Sequence, residues 1–180
     1  MTAASPDTLA QDTTGSPSAM LDAKLWDNPC PISFRLNYLG LCYNGMLYDW
    51  IRDAHGLSRP EYVCLYSLAL SPGGTARDIS RTSGFPKNTL SRAIKALEKR
   101  GLIERRGEAD IGARSQALHL SPTGQTLFDE TVDVFAGQES RMLAALDPAE
   151  RQILSGLLSK LVVKAPDWAA DLPSPKKDAP

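Results

Sequence analysis

Between Thr75 and Leu120 the chain reads as a short helix, a three-residue turn, a second helix and two short strands, and few folds accommodate that order. Thr75-Ala-Arg-Asp78 has the form of a capping box, in which the side chain at the helix start accepts from a first-turn amide and the carboxylate three residues on reaches back. Ser83-Gly-Phe85 redirects the chain, and Pro86 opens the next helix, where a residue lacking an N–H loses nothing. Leu90, Ala93, Ile94 and Leu97 then recur at three- and four-residue spacing, which turns them toward one buried face. After Gly101, residues 102–106 (LIERR) and 115–120 (SQALHL) flank a polar stretch as two strands flank a hairpin loop. His119 alternates with Leu118 and Leu120 and reads as a strand residue rather than a ligand.

The same punctuation marks the rest of the chain. Ser58-Arg-Pro-Glu61 and Asp147-Pro-Ala-Glu150 start helices, Ser121-Pro122 starts another, and Gly56, Gly84 and Gly101 stand where helices stop. The helices expected are 34–55, 58–71, 75–83, 86–100, 122–146 and 148–164. Residues 1–28 are rich in Ser, Thr, Ala and Asp without an apolar period and are expected to form a disordered tail, with a second tail at 166–180. One body remains, 29–165, of mainly α class with a small β-hairpin wing: a winged helix-turn-helix over about 58–120 with further helices around it.

A net charge of -1 conceals an uneven distribution. From Arg77 to Arg106 nine cations stand against three carboxylates, Asp78, Glu98 and Glu104, so the positive charge is local and suits a polyanion. The second helix, with its apolar residues turned inward, presents Lys87, Asn88, Thr89, Ser91, Arg92, Lys95 and Lys99 outward. Amide, hydroxyl and guanidinium groups near a helix N-terminus are the chemistry that reads base edges and phosphates in a major groove. The expected partner is double-stranded DNA, contacted by Lys87, Asn88, Thr89, Ser91, Arg92 and Lys95 and, from the first strand, by Arg106.

Other classes are disfavoured. Cys30, Cys42 and Cys64 are too few and scattered for a disulfide framework, and with only His55 and His119 beside them no metal site or cofactor is expected. No nucleophile, base and orienting residue fall at a recognisable spacing, so an enzyme is not expected. No apolar run is long enough to span a bilayer and no secretory pattern opens the chain, so a cytoplasmic protein without membrane contact is expected.

At these residues a family likeness enters. TARDISRTSGFPKNTLSRAIKALEKRGLIERR (75–106), followed by ADIGARSQALHLSPTGQTLF (109–128), resembles the MarR family of transcriptional regulators, and the likeness runs from about residue 34 to 164. The resemblance implies that Asn88, Thr89, Ser91 and Arg92 lie on the reading face. Family wings carry an acidic residue followed by two arginines; here Asp110 and Arg114 fit the first and last, Gly112 replaces the middle one, and Arg114 is the implied minor-groove residue. It also implies a homodimer on a palindromic operator, joined through the N- and C-terminal helices 34–55, 122–146 and 148–164. Leu39, Met46, Leu47, Trp50 and Ile51 on the first helix, and Ile153, Leu154, Leu157, Leu158, Leu161 and Val162 on the last, form stripes that need a partner.

In the family, small aromatic acids bind where the dimer helices meet the DNA-binding lobe. Tyr38, Trp50, Arg52, His55, Arg59, Tyr62 and Tyr66 place aromatic and hydrogen-bonding groups there, and they are the residues expected to bind an aromatic carboxylate effector. The function so implied is a repressor released from its operator by such an acid. One alternative is a cysteine-based redox sensor, but Phe34 occupies the position of the family's sensing cysteine and Cys30 lies one turn earlier, with only Arg35 near in sequence to lower its pKa. Another is a winged-helix protein-interaction module without DNA affinity, which a salt titration of duplex binding separates.

Overall fold

The computed structural model describes residues 19–106 and 117–169. They fall into two compact units, divided at Gln125 and Thr126. The first holds a short helix α1 (Ala19–Asp22) continued by a π-helical turn (Ala23–Asp27), then α2 (Pro31–His55), α3 (Arg59–Leu70), α4 (Ala76–Ser83), α5 (Lys87–Lys99) and strands β1 (Ile103–Arg106) and β2 (Ala117–Leu120). Helix α6 (Pro122–Met142) begins there, and the second unit contains its remainder with α7 (Pro148–Val163) and α8 (Ala165–Trp168).

Helix starts follow the side chains that serve them. Thr75 donates from its hydroxyl to Asp78 at 2.6 Å and accepts from the Asp78 amide at 3.3 Å. Glu61 takes both the amide and the hydroxyl of Ser58, at 2.7 and 2.6 Å. Asp147 and Glu150 exchange backbone-to-carboxylate bonds at 2.9 Å each way. These bonds satisfy amides that a helix start leaves without partners. Gly56, Gly84 and Gly101 end α2, α4 and α5 in the left-handed region, as a tight redirection requires.

The core of the first unit is apolar and local to the winged region. Leu47 and Ile51 of α2, Leu57 of the loop before α3, Tyr62, Cys64, Leu65 and Leu68 of α3, Ile79 of α4, and Leu90, Ala93, Ile94 and Leu97 of α5 are buried together with Leu102, Ile103 and Leu118. Each fully buried Leu or Ile contributes about 1.5–3 kcal/mol, so this one face of α5 suffices to hold the helix down. The strands pair antiparallel with Ile103 opposite Leu120 and Arg105 opposite Leu118. Leu118 also pairs outward: its amide donates to Gly74 and its carbonyl accepts from Gly73, at 3.1 and 2.9 Å, tying the wing to the α3–α4 loop. In the second unit Thr131 and Phe135 are buried on one side of α6, the Thr131 hydroxyl donating back to Leu127 and Phe128 carbonyls, whereas α7 buries no side chain.

Three boundaries differ from expectation. The tail expected over 1–28 is helical from Ala19 to Asp27, because Arg35 Nη2 donates to the Leu25 carbonyl at 2.6 Å and lies 5.4 Å from the Trp26 ring, while Lys24 lies 5.8 Å from that of Phe34. The helix expected over 122–146 ends at Met142. Ala144 and Leu146 then bond three residues back, and Asp147, preceding a proline, is extended. The second expected tail, 166–180, begins as a helical turn through Trp168.

Candidate nucleic-acid interface

Helix α5 meets its surroundings through two different faces. Opposite the buried Leu90, Ala93, Ile94 and Leu97 lie Lys87, Asn88, Ser91, Arg92, Lys95 and Lys99, all exposed, with Thr89 half-buried beside them. Pro86 supplies the N-cap position and offers no side-chain acceptor. The Thr89 amide finds only the neighbouring Asn88 Oδ1, at 2.9 Å, so the first turn keeps donors and partial positive charge directed outward.

The cations of this region divide by use. Arg105 is ion-paired with Glu98 on α5, and Arg106 with Glu104 at 2.6 Å within β1. Arg100 is committed to backbone, donating to the carbonyls of His55 and Gly56. Lys87, Arg92, Lys95 and Lys99 have no ion pair among the described residues. Four of the uncompensated cations therefore lie on the exposed face of α5, with Arg77 and Arg81 on α4 beside the single carboxylate of Asp78, while Arg106, expected at the interface, holds a carboxylate of its own strand. Asp110, Gly112 and Arg114 lie outside the described residues.

Upstream of α5 the chain forms a cavity of about 390 Å³, lined by Leu41, Asn44, Gly45, Tyr48, Asp49 and Arg52 of α2 with Ser58 and Arg59 at the start of α3. Two of the seven residues expected to contact a small molecule line it, Arg52 and Arg59. Arg52 is held by carboxylates, Nη1 to Asp49 at 2.6 Å and Nε to Asp53 at 3.0 Å, which raise its pKa and compensate its charge. Arg59 has no carboxylate partner among the described residues. Its guanidinium instead lies 4.9 Å from the centre of the Tyr48 ring and 5.6 Å from that of Phe85. Burial raises the pKa of Tyr48, and the Arg59 guanidinium opposes that rise.

The other expected residues stand apart from the lining. Tyr62 is buried behind Tyr48, ring centres 6.3 Å apart, and Tyr66 follows it at 6.2 Å. Trp50 packs edge-on against His55 at 5.2 Å, and Tyr38 lies beside Phe34 at 5.7 Å. The lining positions 41, 44, 45, 48, 49 and 52 follow three- and four-residue steps along one face of α2, whereas Trp50 sits round the helix from them. Helical phase, rather than aromatic content, was the signal that finds Asn44 and Asp49. Phe85 is far from Arg59 in sequence, and no local spacing reveals their contact.

Cys30 and Cys42 are exposed and free, and Cys64 is buried with its thiol pushed up to about 12 by burial first and by Glu61 second. Among the described residues no group of three or more His, Cys, Asp or Glu could hold a metal, and no helix is long and apolar enough to cross a membrane.

A two-helix unit with a cationic outer face, followed by a hairpin stapled to the preceding loop, defines a winged helix-turn-helix protein. Residues 55–111 match the sequence profile of the MarR family. Among its relatives, the transcriptional repressor Rv2887 of Mycobacterium tuberculosis is 28% identical over 106 residues, covering 59% of this chain and 76% of the relative. The transcriptional regulator PetP of Rhodobacter capsulatus is 31% identical over 109 residues, covering 60% of this chain and 63% of the relative. The crystal structure of a MarR-family regulator from Silicibacter pomeroyi shares the fold with a TM-score of 0.68 at 24% identity, over 84% of this chain and 98% of that one. That of Rv2887 with salicylic acid superposes with a TM-score of 0.61 at 24% identity, over 75% and 98% of the two chains. These relatives are transcriptional regulators rather than enzymes.

Proposed function

We propose that this protein is a homodimeric transcriptional repressor that binds a palindromic operator and is released by a small aromatic carboxylate. The observation that carries the DNA half of this reading is the uncompensated charge on α5: Lys87, Arg92, Lys95 and Lys99 exposed beside Asn88 and Ser91, with the opposite face buried. A helix so presented places donors against base edges and cations against phosphates. Exposed Leu36, Leu39 and Met46 on α2, and Ile153, Leu157, Leu161 and Val162 on α7, are apolar surface that a second copy would cover. Two copies related by a two-fold axis read a palindrome.

The effector half rests on the cavity, whose volume suits a single-ring acid and whose wall carries Arg59 without a carboxylate partner among the described residues. Rv2887, a relative, has been crystallised with salicylic acid, with p-aminosalicylic acid and with DNA. Duplexes selected by the protein from a random library test the reading. Recovery of inverted repeats, affinity falling steeply with salt, and release by salicylate are expected. Binding that ignores salt and sequence would argue for a protein-interaction module instead.

A further inference from the structure

We propose that Arg59 is the relay between the cavity and the reading helix: an aromatic carboxylate in the cavity draws the guanidinium onto itself, and Phe85 loses the cation that steadies its ring. This inference rests on the effector reading above and adds its route of transmission. Arg59 lines the cavity and yet lies 5.6 Å from the ring of Phe85, the last residue before the N-cap of α5. One side chain therefore touches both the wall where a ligand enters and the turn that aims the helix.

The chemistry favours the exchange. Of the two arginines on the cavity wall, Arg52 is occupied by Asp49 and Asp53, so an incoming carboxylate finds Arg59. A paired, charge-assisted hydrogen bond to a carboxylate is stronger than the ring contacts and the single hydrogen bond to the neutral Tyr48 hydroxyl that Arg59 otherwise holds, so Arg59 moves toward the anion. Tyr48, 4.9 Å from the guanidinium, faces the same cavity and offers the ligand a ring to stack on.

Phe85 is well placed to transmit the loss. Its carbonyl accepts from Ser80 Oγ at 2.9 Å and its amide donates to Ser83 Oγ at 3.3 Å, which fastens its backbone to α4 and leaves the ring to Arg59. Pro86 follows, and its carbonyl accepts from the Leu90 amide at 3.2 Å, the first bond of α5. A change at the Phe85 ring thus reaches the turn bearing Asn88 and Thr89. A ligand that alters this turn changes DNA affinity, and DNA changes ligand affinity by the same factor.

Hydrogen exchange at the Leu90 amide tests the relay in the free protein. Arg59→Met, which keeps length and loses charge, should speed that exchange about two- to fivefold, while Arg59→Lys, which keeps a cation over the rings, should not. The Arg100 amide, bonded to the Ala96 carbonyl at the far end of α5, reports global destabilisation and should stay unchanged. Salicylate, the probe ligand, should reproduce the acceleration in the wild type. An unaltered Leu90 rate in Arg59→Met overturns the relay, as does salicylate binding by calorimetry without change at Leu90. Absence of salicylate binding, with the Arg59→Met acceleration intact, overturns the effector reading and leaves the link from Arg59 to α5 standing.

Discussion

The guanidinium of Arg100 donates from Nη1 to the carbonyl of Gly56 at 3.0 Å, fastening the end of α5 to the end of α2. Its Nη2 takes the His55 carbonyl at 2.9 Å, so one side chain serves two carbonyls that the C-terminus of α2 would otherwise leave to water. The cation also sits where a helix C-terminus carries partial negative charge. Arg100→Met should lower stability by about 1 kcal/mol, read as an earlier urea midpoint at unchanged slope. Lysine should not restore it, because a single ammonium lacks the fork that spans both acceptors. An unmoved midpoint in the methionine variant argues against the clamp.

Substitutions on the outer face of α5 should separate into two kinds. Arg92→Ala, removing a base-reading candidate, is expected to weaken binding to a selected duplex by about 1–3 kcal/mol per half-site and to relax sequence preference. Lys95→Ala should weaken binding to all duplexes alike and flatten the salt dependence by about one unit. Gel shifts across a set of single-base variants distinguish the two, and equal losses on every sequence for Arg92→Ala would remove it from base reading.

Gly124 permits a close approach that no other residue would. A Cβ placed there would lie 1.9 Å from the Leu102 carbonyl oxygen, which itself accepts from the Ser121 amide at 3.0 Å. Backbone on both sides leaves no flexible side chain to give way, so Gly124→Ala should destabilise by about 1–3 kcal/mol. Thermal melts beside Gly137→Ala, whose Cβ would meet nothing within 4 Å, provide the check.

Cysteine reactivity should follow burial and charge. Burial pushes Cys64 up to about 12, so near pH 8 it is a buried thiol and should resist iodoacetamide until the protein unfolds. Exposed Cys30 should react readily. Cys42, in helical register with exposed Leu39 and Met46, should react in dilute solution and become shielded at concentrations where a second copy covers that stripe. Mass spectrometry at two protein concentrations reads all three sites, and modification of Cys64 in native protein would contradict the assignment.

The capping box of α4 makes a pH prediction. Hydrogen bonds from the Thr75 side chain and backbone lower the pKa of Asp78, with Arg81 and Arg77 adding to the effect. A depressed folded value means that the contribution is fully present above the ordinary carboxylate pKa of about 3.9 and is lost as pH falls through the lower folded value. Asp78→Asn should therefore reduce stability at neutral pH and narrow its difference from the wild type in acid. Parallel urea titrations at pH 7 and pH 3 measure this, and a constant difference would exclude the carboxylate as the cause.

What the sequence makes legible here is what is local. The boxes at Ser58, Thr75 and Asp147, the inward period of α5 and the hairpin after Gly101 each need fewer than twenty residues to recognise, and the corresponding elements form. The cavity is only partly legible, because residue type drew attention to Trp50 and His55 while helical phase gives the wall to Asn44 and Asp49. The contacts of Arg59 with Phe85 and of Arg100 with Gly56 join distant segments and leave no periodic trace. Residues 19–27 escape for a related reason: ring–cation contacts with α2 hold them, not an apolar stripe of their own.

The double pairing of Leu118 also bears on strand addition at the edge of the hairpin. With Gly73 and Gly74 along one side and β1 along the other, β2 presents no vacant row of amides and carbonyls to a passing chain. The remaining edge belongs to β1, whose sequence is Ile-Glu-Arg-Arg, three charged residues in four. An invading strand would have to desolvate those charges for only four residues of ladder. The described strands of the wing thus offer little template for strand addition.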